Sequence, residues 1–298
     1  MLLFIIAFFL TLAAIYIFGK IGIKYDLMDK PAGQLKPHER PIPYTGGMAV
    51  LAGITPALFY TSPILFAVSG MWLVGFLDDR FGTPPVVRLL LQLVTGFYLS
   101  FFVFNHPILS SIILAFTFAV IINAYNMIDG MDGICGVISF VSSLALIVGG
   151  LTDNLYIVFS AAILAFIFFN FPPARIFLGD QGSYIVGTVF GIALIQTYQG
   201  QHLSLVIAII WLPVLDLILG FIRRVKAGKS PFSGDRDHFY DKLYRLLNNN
   251  KRATVLVASL MALVYSFSAI FFNGYVLYGF LIVLSIIQAF SLKSLKST

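Results

Sequence analysis

The sequence predicts an all-α polytopic membrane protein of about eleven transmembrane helices, and three observations support that prediction. Hydrophobic residues make up 59% of the chain and charged residues 11%, whereas a soluble domain has roughly a quarter charged residues. The apolar residues fall into segments long enough to cross a bilayer, and the lysines and arginines are confined to alternate connections between those segments. We therefore expect a single transmembrane domain over residues 1–298.

The position of each span follows from the length that a bilayer imposes. A crossing helix needs about 20 largely apolar residues, and somewhat fewer when it is buried in a bundle. The first run, Leu2–Phe18, has no basic residue before it and no small-residue cleavage site after it, so we interpret it as a retained span and not as a signal peptide. In chain order, the expected helices cover residues 2–19, 46–61, 63–77, 88–104, 107–125, 134–150, 155–169, 181–199, 204–221, 252–272 and 275–292.

The orientation of the spans follows from the positive charges. An odd number of spans puts the two termini on opposite sides, and every Lys and Arg falls on one side. The positive-inside rule makes that side cytoplasmic, with the N-terminus outside and the C-terminus inside the cell (inner or cytoplasmic) membrane. The basic residues of this face are Lys20, Lys24, Lys30, Lys36, Arg40, Arg80, Arg88, Arg175, those from Arg223 to Arg252, Lys293 and Lys296.

Acidic residues concentrate at the same predicted face, although the charge rule gives no reason for this. Asp153 alone falls on the outer side, and Asp216 lies within a helix. Carboxylates and cations from several loops at one membrane face describe a composite polar site, as phosphate chemistry with a divalent metal requires. The single cysteine, Cys135, excludes an intrachain disulfide. The basic residues form no soluble basic domain with stacking aromatics, so we expect no nucleic-acid partner.

The first two predicted cytoplasmic loops each permit two interpretations. In Lys36–Gly47, Gly46 and Gly47 at a helix start would let backbone amides approach an anion, while a rigid Pro-rich loop beside anionic lipid headgroups is the alternative. In the second loop, Asp78 and Asp79 sit together at a helix C-terminus, where both their repulsion and the helix dipole are unfavourable. Either a divalent cation or substrate proton compensates, or the pair binds Arg80 or Arg88; we favour the functional interpretation.

Two further polar stretches follow apolar helices. The segment Asn123–Gly133 contains two amides and two carboxylates after an apolar run, and carboxylates at the edge of hydrocarbon need water, a cation or a partner. A polar turn between helices is the alternative. In Asn170–Ser183 two prolines end a helix, and a turn then delivers Phe177 and Asp180. Taken singly, Phe177 would be an interfacial anchor and Asp180 an N-cap; their shared face with the other acids favours a site.

The longest predicted cytoplasmic loop covers residues 223–251. Its part Asp237–Leu247 has apolar residues at helical spacing, which predicts a short amphipathic helix on the membrane surface. His238 and the arginines could bind a pyrophosphate, and solvated positive-inside charge is the alternative.

Five ordered motifs of this chain resemble the polyprenyl-phosphate N-acetylhexosamine-1-phosphate transferases of glycosyltransferase family 4, above all the bacterial undecaprenyl-phosphate GlcNAc-1-phosphate transferases. The motifs are Lys36-x-His38-x-x-Pro41-x-Pro43-x-x-Gly46-Gly47, Asp78-Asp79, Asn123-x-x-Asn126-x-x-Asp129-Gly-x-Asp132-Gly, Phe177-x-Gly179-Asp180-x-Gly182-Ser183 and Pro231-Phe-x-x-Asp235-Arg-x-His238. The odd number of spans with an external N-terminus is similar to the GlcNAc branch of this family.

The resemblance implies an enzyme of a cell-envelope glycan pathway, such as lipopolysaccharide or teichoic acid biosynthesis. It would transfer GlcNAc-1-phosphate from UDP-GlcNAc, a UDP-N-acetylhexosamine, to undecaprenyl or another polyprenyl phosphate and release UMP. The cofactor would be Mg²⁺ or, in its place, Mn²⁺, and a homodimer is allowed. The expected catalytic residues are Asp78, Asp79 and Asp180, with Asp180 and Asp79 as metal ligands. The expected substrate contacts are Lys36, His38, Asn126, Asp129, Asp132, Asn170, Phe177, Arg224 and His238.

The sequence also departs from the family pattern. Gly82 stands where relatives often carry an acid, amide or lysine, and Tyr240 and Asp241 replace two further histidines, so the sugar stays open. Phospho-MurNAc-pentapeptide transferase, which makes lipid I, is the alternative within the family. A secondary transporter is the alternative outside it, but transporters place charges near the membrane midplane in two related halves.

Overall fold

Long apolar helices dominate the computed structural model, which describes residues 1–31, 40–59, 61–230 and 235–293. Two very short strands, β1 (Met28–Asp29) and β2 (Ile42–Pro43), lie between the first two helices. A π-helical segment, Tyr98–Val103, continues the fourth helix. The helices are α1 (Leu2–Lys24), α2 (Gly46–Leu58), α3 (Ser62–Phe81), α4 (Pro85–Phe97), α5 (Ile108–Ile128), α6 (Ile134–Val148), α7 (Asn154–Asn170), α8 (Gly179–Thr197), α9 (Leu203–Lys226), α10 (Phe239–Leu246), α11 (Lys251–Phe271) and α12 (Gly274–Lys293).

The all-α membrane architecture is confirmed. Each of the eleven segments expected to be helical overlaps a helix of the described chain. Within the described residues, five helices are long and apolar enough to cross a membrane by length and composition, which makes this a multi-pass membrane protein. They are Leu2–Lys24, Pro85–Val103, Ile108–Ile128, Leu203–Lys226 and Lys251–Phe271.

Several helices extend further toward the polar loops than their apolar runs predict. Helix α3 continues to Phe81 and ends at Gly82, whose φ of 71° is left-handed, a common helix ending. Asp78 and Asp79 therefore lie in the last turn of α3 and have helical geometry. Helix α5 likewise continues to Ile128, which carries Asn126 on the helix and puts Asp129 at its C-cap. Polar residues extend these helices because a polar side chain does not itself end a helix.

Helix α8 is the centre of the bundle and is buried along almost its whole length. It packs against α2, α3 and α5, and glycines permit the closest approach. A Cβ on Gly47 of α2 would lie 2.5 Å from the backbone nitrogen of Gly182, and a Cβ on Gly75 of α3 would lie 2.5 Å from the backbone nitrogen of Gln181. Side chains larger than hydrogen are therefore excluded where the first turn of α8 meets its neighbours.

The first loop contains structure that hydropathy did not predict. Strands β1 and β2 pair antiparallel, with Met28 opposite Pro43 and Asp29 opposite Ile42. The backbone of Phe177 donates to the carbonyl of Pro43 over 2.8 Å. The ribbon is thus attached to the turn that precedes α8.

Helix α10 forms inside the segment predicted to hold an amphipathic helix. Its start is capped by His238 and Asp241. Phe239 and Leu243 are buried in the protein, whereas Leu246 is exposed. Most of its apolar face therefore packs on the protein instead of lying on a membrane surface.

Candidate active site

A cavity of about 1110 Å³ opens where α3, α5 and α7 end and α8 begins. Residues within 236–249, before α11, line it on one side, and β1 lines it on another. The predicted site residues that line it are Asp78, Asp79, Asn126, Asp129, Asp132, Asn170, Phe177 and Asp180. Arg224 and His238 do not line it, and Lys36 and His38 lie outside the described residues. The fold therefore brings residues of at least four of the five motifs onto one cavity: those centred on Asp78, Asn126 and Asp180 and, through Arg236, the last motif.

Asp180 lies in the first turn of α8 and is oriented by an amide from α5. The side-chain nitrogen of Asn126 donates to one carboxylate oxygen of Asp180 over 2.6 Å and to the hydroxyl of Ser183 over 3.0 Å. The residue before it, Gly179, has a φ of 72°, a conformation that glycine adopts without strain. The Asn126 amide therefore fixes the direction of a carboxylate on the cavity wall.

Asp79 acts across the helix interface as a cap for α8. One of its oxygens accepts the backbone N–H of Asp180 over 2.9 Å, and the other accepts that of Gln181 over 3.1 Å. These N–H groups have no partner within a helix start, and a carboxylate also complements the dipole there. Each carboxylate oxygen has a second lone pair, so Asp79 both anchors the turn that carries Asp180 and keeps acceptor capacity toward the cavity.

Asp78 is engaged by donors on several sides. Its carboxylate pairs with Arg88, accepts the backbone N–H of Thr83 over 2.8 Å and accepts the hydroxyl of Tyr184 over 3.3 Å. The arginine alternative, which the sequence left open for the pair, is thus realised for Asp78. Its carboxylate is largely committed to holding the α3–α4 connection.

Asp129 differs from the other acids of the cavity. It is half-buried at the C-cap of α5, and among the described residues its carboxylate has no hydrogen-bond partner. Burial raises its pKa well above the usual value of 3.8, and the nearby charges of Asp180 and Asp79 add to the increase. A carboxylate in this position requires a cation or a proton to be stable.

Asp132 and Asn170 connect the loops that surround the cavity. Asp132 binds the ammonium of Lys251 over 3.0 Å and accepts the backbone N–H of Ala174 over 3.3 Å. Asn170 accepts the N–H of Gly133 over 2.9 Å and donates to the carbonyl of Ile176 over 2.9 Å. Both side chains therefore hold the α5–α6 and α7–α8 connections together, in addition to any contact with a ligand.

His238 is buried between two carboxylates. Its Nδ1 lies 2.6 Å from Asp216, and its Nε2 lies 3.3 Å from Asp235. Arg224 is also buried, and its Nε donates to the carbonyl of Gly220 over 3.2 Å. The predicted direct contact of these two residues with a pyrophosphate therefore has less geometric support than the contacts of the residues that line the cavity.

Three cations within residues 236–251 line the cavity, and of these only Arg236, among the arginines of the long loop, was considered from the sequence as a pyrophosphate ligand. Arg236 donates to the carbonyl of Gly130 over 2.7 Å, and Lys251 pairs with Asp132 as described above. Arg245 binds Asp237 over 2.7 Å. All three line the cavity. Their sequence signal was the density of basic residues in 223–252, which by itself does not tell solvated charge from ligand-binding charge.

Gly46 and Gly47 do not offer their amides to an anion. The N–H of Gly46 donates to the carbonyl of Phe177 over 2.9 Å, and that of Gly47 donates to the carbonyl of Leu178 over 3.0 Å. Of the two interpretations left open for this loop, an anion site at the start of α2 is therefore wrong, because the turn before α8 occupies both donors.

The donor set at the cavity fits a hard divalent cation. Within the described ranges, no three His, Cys, Asp or Glu side chains converge as a preformed metal centre. Mg²⁺ does not need such a centre, because it takes one or two carboxylates and completes its shell with phosphate oxygens and water. Asp180, Asp129 and the free lone pairs of Asp79 present oxygens to one cavity, and their mutual repulsion would be relieved by positive charge.

Comparison with known proteins gives a consistent result. The model of the family described as Glycosyl transferase family 4 matches residues 61–198. The chain is 31% identical to the probable undecaprenyl-phosphate N-acetylglucosaminyl 1-phosphate transferase of Bacillus subtilis, over 91% of this chain and 85% of that protein. It is 32% identical to the undecaprenyl-phosphate alpha-N-acetylglucosaminyl 1-phosphate transferase of Escherichia coli O157:H7, over 87% and 80%. It is 28% identical to the decaprenyl-phosphate N-acetylglucosaminephosphotransferase of Mycobacterium tuberculosis, over 79% and 74%.

Proposed function

Since the chain belongs to glycosyl transferase family 4, we propose that it transfers GlcNAc-1-phosphate from UDP-GlcNAc to undecaprenyl phosphate or a related polyprenyl phosphate. The products are polyprenyl-diphospho-GlcNAc and UMP. The reaction would be the first membrane step of a cell-envelope glycan pathway.

One observation carries the proposal beyond the family relationship: the carboxylates and cations of separate loops meet in one cavity. Asp79, Asp129 and Asp180 line it together with Arg80, Arg236 and Lys251. Phosphoryl transfer depends mainly on positioning and on charge neutralisation. A cavity with both signs of charge can hold a metal, a diphosphate and a second phosphate at once.

Asp180 and Asp79 are the proposed Mg²⁺ ligands, and Asp129 is a further oxygen donor beside them. Bound Mg²⁺, or Mn²⁺ in its place, would neutralise charge that builds up on the diphosphate oxygens. Asn126 keeps the carboxylate of Asp180 aimed at the cavity. Asp79 holds the first turn of α8 and would accept the proton of the incoming lipid phosphate through its remaining lone pairs.

The nucleoside side of the donor is proposed to lie against the α5–α6 and α7–α8 connections. Phe177 lines the cavity there and offers an aromatic face for uracil. Asp132 and Asn170 hold the two connections together through hydrogen bonds. Lys251 neutralises the charge of Asp132.

The proposed topology has eleven spans with the N-terminus outside and the cavity at the cytoplasmic face of the cell membrane. It is supported by the lysines and arginines that border the cavity, since such residues favour the cytoplasmic side. A polyprenyl phosphate carries its phosphate at the membrane surface, so a cavity at the helix ends suits this acceptor.

The test is release of UMP by membranes or purified protein supplied with a panel of UDP-sugars. Release from UDP-GlcNAc is expected only when Mg²⁺ and polyprenyl phosphate are both present. Asp180→Asn should reduce turnover at least about a thousandfold, because the amide cannot carry the charge that the metal requires. Asp153→Asn is the matched control, since Asp153 is exposed and binds Gln196 on a loop that does not line the cavity.

Each component of the result decides a separate point. No UMP from any UDP-sugar would refute the transferase proposal. Activity that persists in a chelator would refute the metal, and a near-normal rate for Asp180→Asn in well-inserted protein would remove Asp180 from the metal role. A preference for UDP-MurNAc-pentapeptide would move the chain to the lipid I reaction.

A further inference from the structure

Asp216 is a buried carboxylate that the proposed chemistry does not use. It lies within α9, among apolar residues, and is 3% exposed. Burial of an ionised carboxylate is unfavourable unless it is paired and hydrogen-bonded. Its partners should therefore explain why an apolar helix contains it.

Both oxygens of Asp216 bind the start of α10. One oxygen lies 2.6 Å from Nδ1 of His238, and the other accepts the backbone N–H of Phe239 over 2.9 Å. The Nε2 of His238 lies 3.3 Å from Asp235, and the imidazole stacks on Tyr240 with the ring centroids 5.6 Å apart. Because carboxylates only accept hydrogen bonds, the Asp216 contact favours a proton on Nδ1, and the negative charges of Asp216 and Asp235 beside the two ring nitrogens favour the protonated imidazole.

The segment held by Asp216 forms one wall of the cavity. Arg236 and Asp241, on either side of His238 in sequence, both line the cavity. Arg236 reaches across to the carbonyl of Gly130, beside Asp129, over 2.7 Å. The hydroxyl of Tyr240 donates to the carbonyl of Met127 over 3.2 Å. Contacts thus run from Asp216 through His238 and Tyr240 to the end of α5.

We propose that Asp216 is a positioning residue of the transferase: by binding His238 and the first turn of α10, it holds Arg236 and Asp241 on the cavity wall. This inference rests on the proposed function. Arg236 is the cation that would contact a phosphate of the donor, and Asp216 acts on it only through the intervening segment.

The charges around His238 give this role a measurable signature. Burial lowers the pKa of His238, but the hydrogen bond and charge of Asp216, with Asp235 and Asp241, outweigh burial and raise it above the usual 6.5. The imidazolium is therefore present below pH 6.5 and is lost as the pH rises through the raised pKa. The ionisable groups facing His238 are Asp216 and Arg224 from α9, Asp235 with its partner Arg223, and Tyr240 and Asp241 from α10.

The experiment measures UMP release as a function of pH for Asp216→Asn, Asp216→Glu and the control Asp153→Asn. Asparagine keeps the volume but removes the charge, so kcat should fall on the order of tenfold to a hundredfold. The alkaline limb of the pH profile should move to lower pH by roughly one unit. Glutamate restores the charge and should return the limb toward its original position, while Asp153→Asn should match the parent in both respects.

Limited trypsin digestion gives a readout that does not depend on turnover. Cleavage after Arg236 and Arg245 should be at least several-fold faster in Asp216→Asn than in the parent protein or in Asp153→Asn, at equal amounts of inserted protein. If the parent is active but Asp216→Asn shows the same alkaline pH limb and the same protection from trypsin, the role proposed for Asp216 is overturned while the proposed function stands. A parent that releases no UMP would overturn the proposed function and this inference with it.

Discussion

At the scale of single residues, the acids of the cavity divide according to their partners. Asp78 is held by Arg88, Thr83 and Tyr184, and Asp132 is held by Lys251. Asp129, by contrast, has no hydrogen-bond partner for its carboxylate among the described residues. Strongly perturbed, unpaired acids in a cavity are candidates for function. The adjacent carboxylates Asp78 and Asp79 therefore have different tasks, although the sequence presents them as a pair.

The unpaired state of Asp129 predicts opposite effects of one substitution on stability and activity. Its folded pKa is raised by burial and by Asp180 and Asp79, so the ionised form destabilises the folded state once the pH exceeds the unfolded value of about 3.8. Asp129→Asn should raise Tm at pH 7 by roughly 2–4 °C in the absence of ligand and Mg²⁺, and lower kcat/KM at least about tenfold.

Thermal unfolding at pH 7 and pH 4.5, with UMP release in parallel, measures both effects. The gain in Tm should shrink at the lower pH, because the carboxyl of the parent protein is then largely protonated. A loss of stability in Asp129→Asn would show that the carboxylate is matched by a partner. Unchanged activity would remove it from the site.

At the scale of elements, the start of α8 is positioned by two neighbouring helices. Helix α3 supplies Asp79, which caps the first turn, and Gly75, which lets that turn approach closely. Helix α2 supplies Gly47 for the same purpose. The position of Asp180 thus depends on helix packing as much as on hydrogen bonds.

Two glycines of α3 provide a matched test of this packing. A Cβ on Gly75 would lie 2.5 Å from the backbone of Asp180 and Gln181, whereas a Cβ on Gly70 would meet nothing within 4 Å. Gly75→Ala should destabilise the protein by about 2 kcal/mol and reduce UMP release. Gly70→Ala should be neutral or stabilise by about 0.5–1 kcal/mol, because alanine favours a helix. Thermal unfolding in detergent compares them, and equal Tm values for both variants would contradict the packing argument.

At the scale of the whole molecule, the charges and the cavity share one end of the bundle. The residues that line the cavity include the cations Lys30, Arg80, Arg236, Arg245 and Lys251. Asp153 is the acid predicted to lie on the opposite side of the membrane. It does not line the cavity, and its carboxylate accepts a hydrogen bond from the amide of Gln196. By the positive-inside rule this distribution would place the cavity on the cytoplasmic side, and it would also supply the positive charge that the proposed phosphate substrates need.

This orientation predicts the outcome of a reporter experiment. A phosphatase or fluorescent-protein reporter fused after Lys229 should score as cytoplasmic, because the cluster of arginines and lysines around it favours that side. A reporter placed after His106, in a link with no basic residue, should score as external. External signal at Lys229 would overturn the topology and the cytoplasmic placement of the site.

The sequence predicted many of the residues of the candidate site, but it did not predict which of them contact one another. Asn126, Asp129, Phe177 and Asp180 were all expected from motifs, and all line the cavity. The role of Asp79 as a cap was not foreseen, because its partners are 101 and 102 residues away. Lys251 was missed for the same reason, since its partner Asp132 is 119 residues distant.

The sequence by itself determined that this is a multi-pass helical membrane protein and which motifs its site would draw on, because hydropathy, charge and motif spacing are local properties of a chain. Only the tertiary structure decided which acids are neutralised and which are free. The choice between Arg80 and Arg88 for Asp78, the burial of His238 between Asp216 and Asp235, and the unpaired state of Asp129 all depend on contacts between separate helices. The energy of an ion pair or hydrogen bond depends on the distance between the two groups and on their burial. Neither quantity can be read from the order of residues along the chain.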